Sequence, residues 1–148
     1  MPESIAMPEE ECEALLRLGV FGRVGVSTAS GPHIFPVNYS VVDDAIVMRT
    51  TPYSVLGTNG RSRILAFEVD ELNRERQRGW SIQARGRAEV VTDQAELLHI
   101  RQTWDPRPWA SGNRELYLRL PWTELTGRKL GGSWSPEAEL PYRRRVST

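Results

Sequence analysis

Between residues 23 and 50 the apolar residues repeat every second position, and that period most constrains the fold. Arg23–Thr28 alternates through Val24 and Val26, Ala29-Ser30-Gly31-Pro32 reads as a turn, and His33–Val42 forms a second alternating run. Asp43-Asp44 gives a second turn and Ala45–Thr50 a third run. Three short runs joined by tight turns predict an antiparallel meander, since a two-residue link reverses an antiparallel pair but cannot carry a parallel crossover.

The flanks fill in a small barrel. Residues 8–18 predict a helix: Pro8 suits its start, Glu9, Glu10 and Glu11 favour the positive end of its dipole, and Cys12, Leu15 and Leu16 give one apolar side before Gly19. Pro52–Gly60 reads as a turn or short helix, Ile64–Val69 as a fourth strand and Trp80–Val91 as a fifth. The densely charged 70–79 stretch between them reads as a solvated loop. Thr92 caps a predicted helix over 93–104 with Leu97, Leu98 and Trp104 inward, and 105–113 reads as an irregular loop. Leu116–Arg128 predicts a sixth strand bent at Pro121. The expected fold is mainly β with flanking helices, a six-stranded antiparallel closed or split barrel over residues 1–130, with a tail over 131–148.

Composition narrows the function. At 148 residues the chain fits one domain. No apolar run approaches the length of a membrane-spanning helix, and the start has neither a basic nor an apolar signal region, so no membrane is expected. Cys12 is the single cysteine, which excludes an internal disulfide and a cysteine zinc cage; a reduced, cytoplasmic protein is the expectation. Nineteen basic residues balance 19 acidic ones, and a general nucleic-acid binder carries a basic excess, so none is expected. Lys129 is the only lysine, so an anion site must rely on arginine and backbone N–H groups. His33 and His99 lie far apart without metal-ligand spacing, and no nucleophile elbow or Walker loop is present.

The chemically informative stretch is 34–54. Pro36 sits inside a predicted strand, where it cannot donate to a ladder, so the backbone there is open to a planar ligand or forms a bulge. Asn38 falls on the same face, and its amide can both donate and accept, as a heterocyclic imide edge requires. Arg49-Thr50 precedes a possible helix start at Pro52–Ser54, a combination suited to phosphate; the alternative is an exposed arginine at a strand end. Trp109, in a proline-flanked loop, stands apart from the other four tryptophans, which suit a core or an interface.

The Glu-rich first helix, Gly22-Arg23-Val24-Gly25-Val26, Phe35-Pro36-Val37-Asn38-Tyr39, Met48-Arg49-Thr50 and Ala66-Phe67-Glu68-Val69-Asp70 follow one another in order. Gly79-Trp80-Ser81-Ile82, Arg85-Gly86-Arg87-Ala88, Pro108-Trp109-Ala110 and Thr126-Gly127-Arg128 complete the series. In this order and spacing, over roughly 8–130, the chain resembles the pyridoxamine 5′-phosphate oxidase-like family, the FMN-binding split barrels. The resemblance implies a homodimer with two flavins at its interface and a flavin-dependent oxidoreductase acting on a small-molecule substrate by hydride transfer. It places Phe35, Pro36, Val37 and Asn38 against the flavin ring, and Arg49, Thr50 and Ser54 at the phosphate end. Glu68, Val69 and Gln83 then line the ring's other edge, and Trp109 reaches in from the partner chain. Catalytic residues are unassigned, and no metal is implied. Family members commonly carry a lysine after the serine of the short helix, where this chain has Val55; Arg61 or Arg63 are the available substitutes. Met48-Arg49 replaces the histidine of the nitroimidazole-resistance branch, and Arg143-Arg144-Arg145 does not match the substrate-phosphate cluster of the longer true oxidases. Two alternatives keep the barrel but change the ligand: a deazaflavin (coenzyme F420) reductase, which wants a longer cationic groove, and a non-enzymatic flavin- or haem-binding protein with His33 as a haem ligand.

Overall fold

A computed structural model describes residues 4–131. Helix α1 (Glu9–Leu18) starts at Pro8, carries Glu9–Glu11 in its first turn, and buries Cys12, Leu15 and Leu16. It ends where the Tyr39 hydroxyl donates to the Leu16 carbonyl at 2.6 Å, satisfying one of the open carbonyls of the last turn. Gly19 follows because a Cβ there would fall on the Tyr39 hydroxyl. The meander is β2 (Phe21–Thr28), β3 (Gly31–Val42) and β4 (Ala45–Thr50), preceded by a three-residue β1 (Ser4–Ala6). Helix α2 (Val55–Asn59) leads to β5 (Ile64–Asn73), β6 (Arg78–Arg87) and the two-residue β7 (Glu89–Val90). Then come α3 (Gln94–Trp104), β8 (Leu116–Pro121) and β9 (Glu124–Leu130).

Every pairing among these strands is antiparallel, in the order β1-β9-β6-β5-β2-β3-β4-β8-β7. The sheet bends around its core at two corners. Strand β3 pairs with β2 up to Asn38 and with β4 from Tyr39 onward, and the chain passes from β8 to β9 at Trp122-Thr123. Inside lie Leu16, Val24, Tyr39, Met48, Phe67, Trp80, Ile82 and Leu118, all nearly inaccessible to solvent. A second, smaller core of Val42, Val47, Val91, Ile100 and Tyr117 forms where α3 covers the outer side of β3, β4 and β8.

Four expectations need correction. Nine strands replace six, although the mainly antiparallel barrel class holds. The single bent last strand is two strands, β8 and β9, in different parts of the sheet. The charged 70–79 stretch is a hairpin: pairing continues to Asn73↔Arg78, Arg78 is buried, and the turn over 74–77 uses Gln77 at φ 50°. Helix α3 is capped by Asp93, not Thr92: its carboxylate accepts from Glu96 N–H at 3.1 Å; Leu97 and Trp104 pack inward as expected beside a buried Ile100, whereas Leu98 is exposed. The tail, with Trp134 and Arg143-Arg144-Arg145, lies outside the described residues. No helix among the described residues is long and apolar enough to cross a membrane.

Candidate functional site

Strand register builds the site. Pro36 lies opposite Arg23, Arg23 opposite Glu68, Glu68 opposite Gln83, and Gln83 opposite Thr126. Directly opposed residues share a face, so these five side chains form one row across five strands on the outer side of the sheet, about 19 Å long at 4.8 Å per strand. A second row runs beside it through Asn38 and Phe21, and through Asp70, Ser81 and Arg128. Residues 35 and 37 alternate inward: Phe35 and Val37 pack partly against the main core, and Val69 is buried within it. Of the predicted residues, Pro36, Asn38, Glu68 and Gln83 therefore meet on the outer face. Phe35, Val37 and Val69 can offer it only their backbone.

Charge on this face is shared. Arg23 Nη1 lies 3.1 Å from Glu68 Oε1 and 3.2 Å from Asp70 Oδ2, one cation between two carboxylates. Partial burial, then the neighbouring Asp70, pushes the Glu68 carboxyl up to about 7, with Arg23 opposing. Near neutral pH Glu68 can thus donate as well as accept. At the β1 end a cleft of about 460 Å³ opens between Met7 and Glu9 on one side and Ser81, Gln83, Thr126 and Arg128 on the other.

Asn38 and Trp109 meet at the opposite end of the face. The Asn38 amide donates to Val20 O at 3.3 Å and accepts from the Trp109 backbone N–H at 2.8 Å. The Trp109 ring stacks on Phe21 of the same chain, centroids 5.4 Å apart and 6° from parallel. Phe21 precedes the strand expected from Arg23 onward and lies opposite Asn38 in the β2–β3 register.

The predicted phosphate residues separate. Arg49 and Thr50 point to opposite sides of β4, as adjacent strand residues must. Thr50, buried with Met48, shares a 2.7 Å hydrogen bond with Ser54. The Ser54 hydroxyl caps α2 by accepting from Gly57 N–H at 2.8 Å and donates to Thr51 O at 2.9 Å. Arg49 is on the outer side beneath the 105–115 segment: its Nε donates to Arg114 O at 3.0 Å, and its Nη1 lies 3.5 Å from both Asp105 Oδ2 and Pro106 O. Val55 is exposed while Leu56 is buried. Arg61 Nε donates to Gly57 O at 2.8 Å and Arg63 is exposed. His33 shares a 3.3 Å hydrogen bond with Ser30 and stacks on Phe35. Cys12 is buried, and burial raises its thiol. Among the described residues no group of three His, Cys, Asp or Glu side chains is placed to hold a metal ion.

Known proteins match this architecture. The chain is similar to Rv0080, an uncharacterized protein of Mycobacterium tuberculosis, at 30% identity over 133 residues, covering 86% of each. It superposes on the FAD binding protein of Mycobacterium smegmatis with a TM-score of 0.72 and 26% identity, covering 85% of this chain and 98% of that one. A Corynebacterium glutamicum protein provisionally named a pyridoxamine 5′-phosphate oxidase gives 0.74 and 29%, covering 91% and 98%. The model of the pyridoxamine 5′-phosphate oxidase family matches residues 8–129, nearly the whole described fold, and the chain belongs to that family.

Proposed function

We propose that this protein binds a flavin on the outer sheet face and is an oxidoreductase acting on a small molecule, with FMN as the cofactor. The row Pro36–Arg23–Glu68–Gln83–Thr126 carries the reading. It is a strip of solvent-facing side chains with a proline that presents no N–H, an amide and a carboxylic acid able to donate or accept, and a cleft at one end. An isoalloxazine ring has an apolar plane and a polar pyrimidine edge, and this face offers both complements. A related protein named for FAD binding supports a flavin more broadly than it supports FMN. When bound, the flavin supplies hydride chemistry; the chain supplies orientation and charge. Asn38 and Gln83, three strands apart, would hold opposite ends of the ligand by hydrogen bonds, and Glu68 between them, raised to about 7, would hold or release a proton there.

A second copy of the chain completes the site in this proposal. Ile34, Trp109 and Phe21 expose apolar surface along the same face, and a symmetric pair would cover both copies of it. The deazaflavin alternative wants a cationic groove; Arg61 donates to Gly57 O and Arg128 Nη1 to the Ser4 hydroxyl at 3.1 Å, while Arg63 is exposed. The haem alternative rests on His33, whose Nε2 shares a hydrogen bond with Ser30 and whose ring stacks on Phe35. Titration with FMN, FAD, riboflavin and coenzyme F420 tests the reading. Tightest binding of FMN supports it, tightest binding of FAD keeps the flavin but replaces FMN, and binding only of coenzyme F420 or of none overturns it. Sedimentation at micromolar concentration tests the pairing: a dimer is expected, and a monomer removes the shared site.

A further inference from the structure

The segment 105–115 crosses the outer face as a strap with two feet and a tip. Its feet are Asp105-Pro106, just after α3, and Arg114, just before β8. Both are held by one side chain: Arg49 donates Nε to Arg114 O at 3.0 Å and directs Nη1 at Asp105 Oδ2 and Pro106 O, each at 3.5 Å. The Tyr117 hydroxyl donates to the other carboxylate oxygen of Asp105 at 2.9 Å. The Arg49 guanidinium lies over the Tyr117 ring at 4.9 Å, and Arg101 contacts the same ring at 5.5 Å. The tip is Trp109, whose N–H reaches Asn38 and whose ring covers Phe21.

A planar guanidinium suits this task. Its fixed fork can bond two strands of backbone at once, which a lysine's single ammonium cannot reproduce. Pinning both feet shortens the freely moving chain and so narrows where the tip can lie. The same donors are thereby pointed at carbonyls and a carboxylate. We propose that Arg49 is a positioning residue that clasps the feet of the strap and so sets Trp109 against Asn38 and Phe21 at the edge of the ligand face, and that it does not bind the cofactor phosphate. The inference rests on the flavin reading for its functional half only.

Arg49→Gln and Arg49→Lys test it in protein carrying 5-fluorotryptophan, with the Trp109 fluorine signal identified through Trp109→Phe. In the ligand-free protein both variants should move that signal away from its Phe21-stacked position, because neither side chain can hold both feet. FMN and riboflavin affinities should then fall by a common factor of about ten. Riboflavin lacks the phosphate, so an FMN-selective loss that Arg49→Lys restores would identify a phosphate ligand and overturn the proposal. An unmoved fluorine signal would overturn it whatever the ligands do. A moved signal with unchanged affinities would overturn the functional half. If the wild-type protein binds neither flavin, the flavin reading fails while the fluorine signal still judges the clasp. Should both variants unfold, Tyr117→Phe removes only the hydroxyl on Asp105 and should shift the signal the same way by less; no shift would overturn the clasp.

Discussion

Replacing Glu68 with glutamine should change how stability depends on pH. Folding raises the Glu68 carboxyl from 4.5 to about 7, first through burial and then through Asp70. The folded state therefore holds this proton more tightly than the unfolded chain does. The resulting stabilisation is fully present below about pH 4.5 and is lost as pH rises through about 7. At 1.36 kcal/mol per unit, a fully buried group with this shift would contribute about 3 kcal/mol. Glu68 keeps 38% of its side chain in solvent and faces Arg23, so screening reduces the expected effect to about 1 kcal/mol. Glu68→Gln cannot ionise. From pH 5 to pH 8 its stability should therefore rise by about 1 kcal/mol relative to the wild-type protein, or roughly 2–4 °C in Tm for a chain of this length. Chemical and thermal unfolding at unit steps of pH measure the difference. Parallel pH curves for the two proteins would refute the raised carboxyl of Glu68.

Three other outcomes follow from local geometry. Val55→Lys places a cation on an exposed position of α2, so the fold should melt unchanged; if the phosphate end of the ligand lies nearby, FMN should tighten by on the order of 1 kcal/mol, fading with salt, while riboflavin stays constant. Gly86→Ala drives a Cβ onto the Pro121 carbonyl at the β8–β9 corner, and melting should show a loss of about 1–3 kcal/mol. Ser54→Ala removes the cap of α2 and the partner of the buried Thr50 hydroxyl, at a cost of about 1–2 kcal/mol by denaturant unfolding.

Much of this architecture is legible in the pattern of residues. Acidic residues after Pro8 mark α1, and the period of two finds β2, β3 and β4, with Ala45–Thr50 placed to the residue. The same period puts Asn38 and Pro36 on one face. What local pattern cannot show is where strands change partners. The β8–β9 corner is a tertiary event, and β1 and β7 are strands of three and two residues that exist only through β9 and β8. The 70–79 stretch misleads because charge implies solvation, whereas a ladder needs only backbone groups and Leu72 and its neighbours pair while facing water. Side-chain partnerships are the least legible. Arg49 meets Arg114 across 65 residues and Asn38 meets Trp109 across 71, distances over which no local spacing carries information.

The most direct test of the account is the visible absorption spectrum of the protein as purified, taken beside that of Asn38→Ala prepared in parallel. The account predicts flavin absorption in the wild-type protein, restored by added FMN if the cofactor is lost in preparation and clearly diminished in the variant. A haem Soret band, a deazaflavin band, or a colourless protein that takes up no flavin would contradict it.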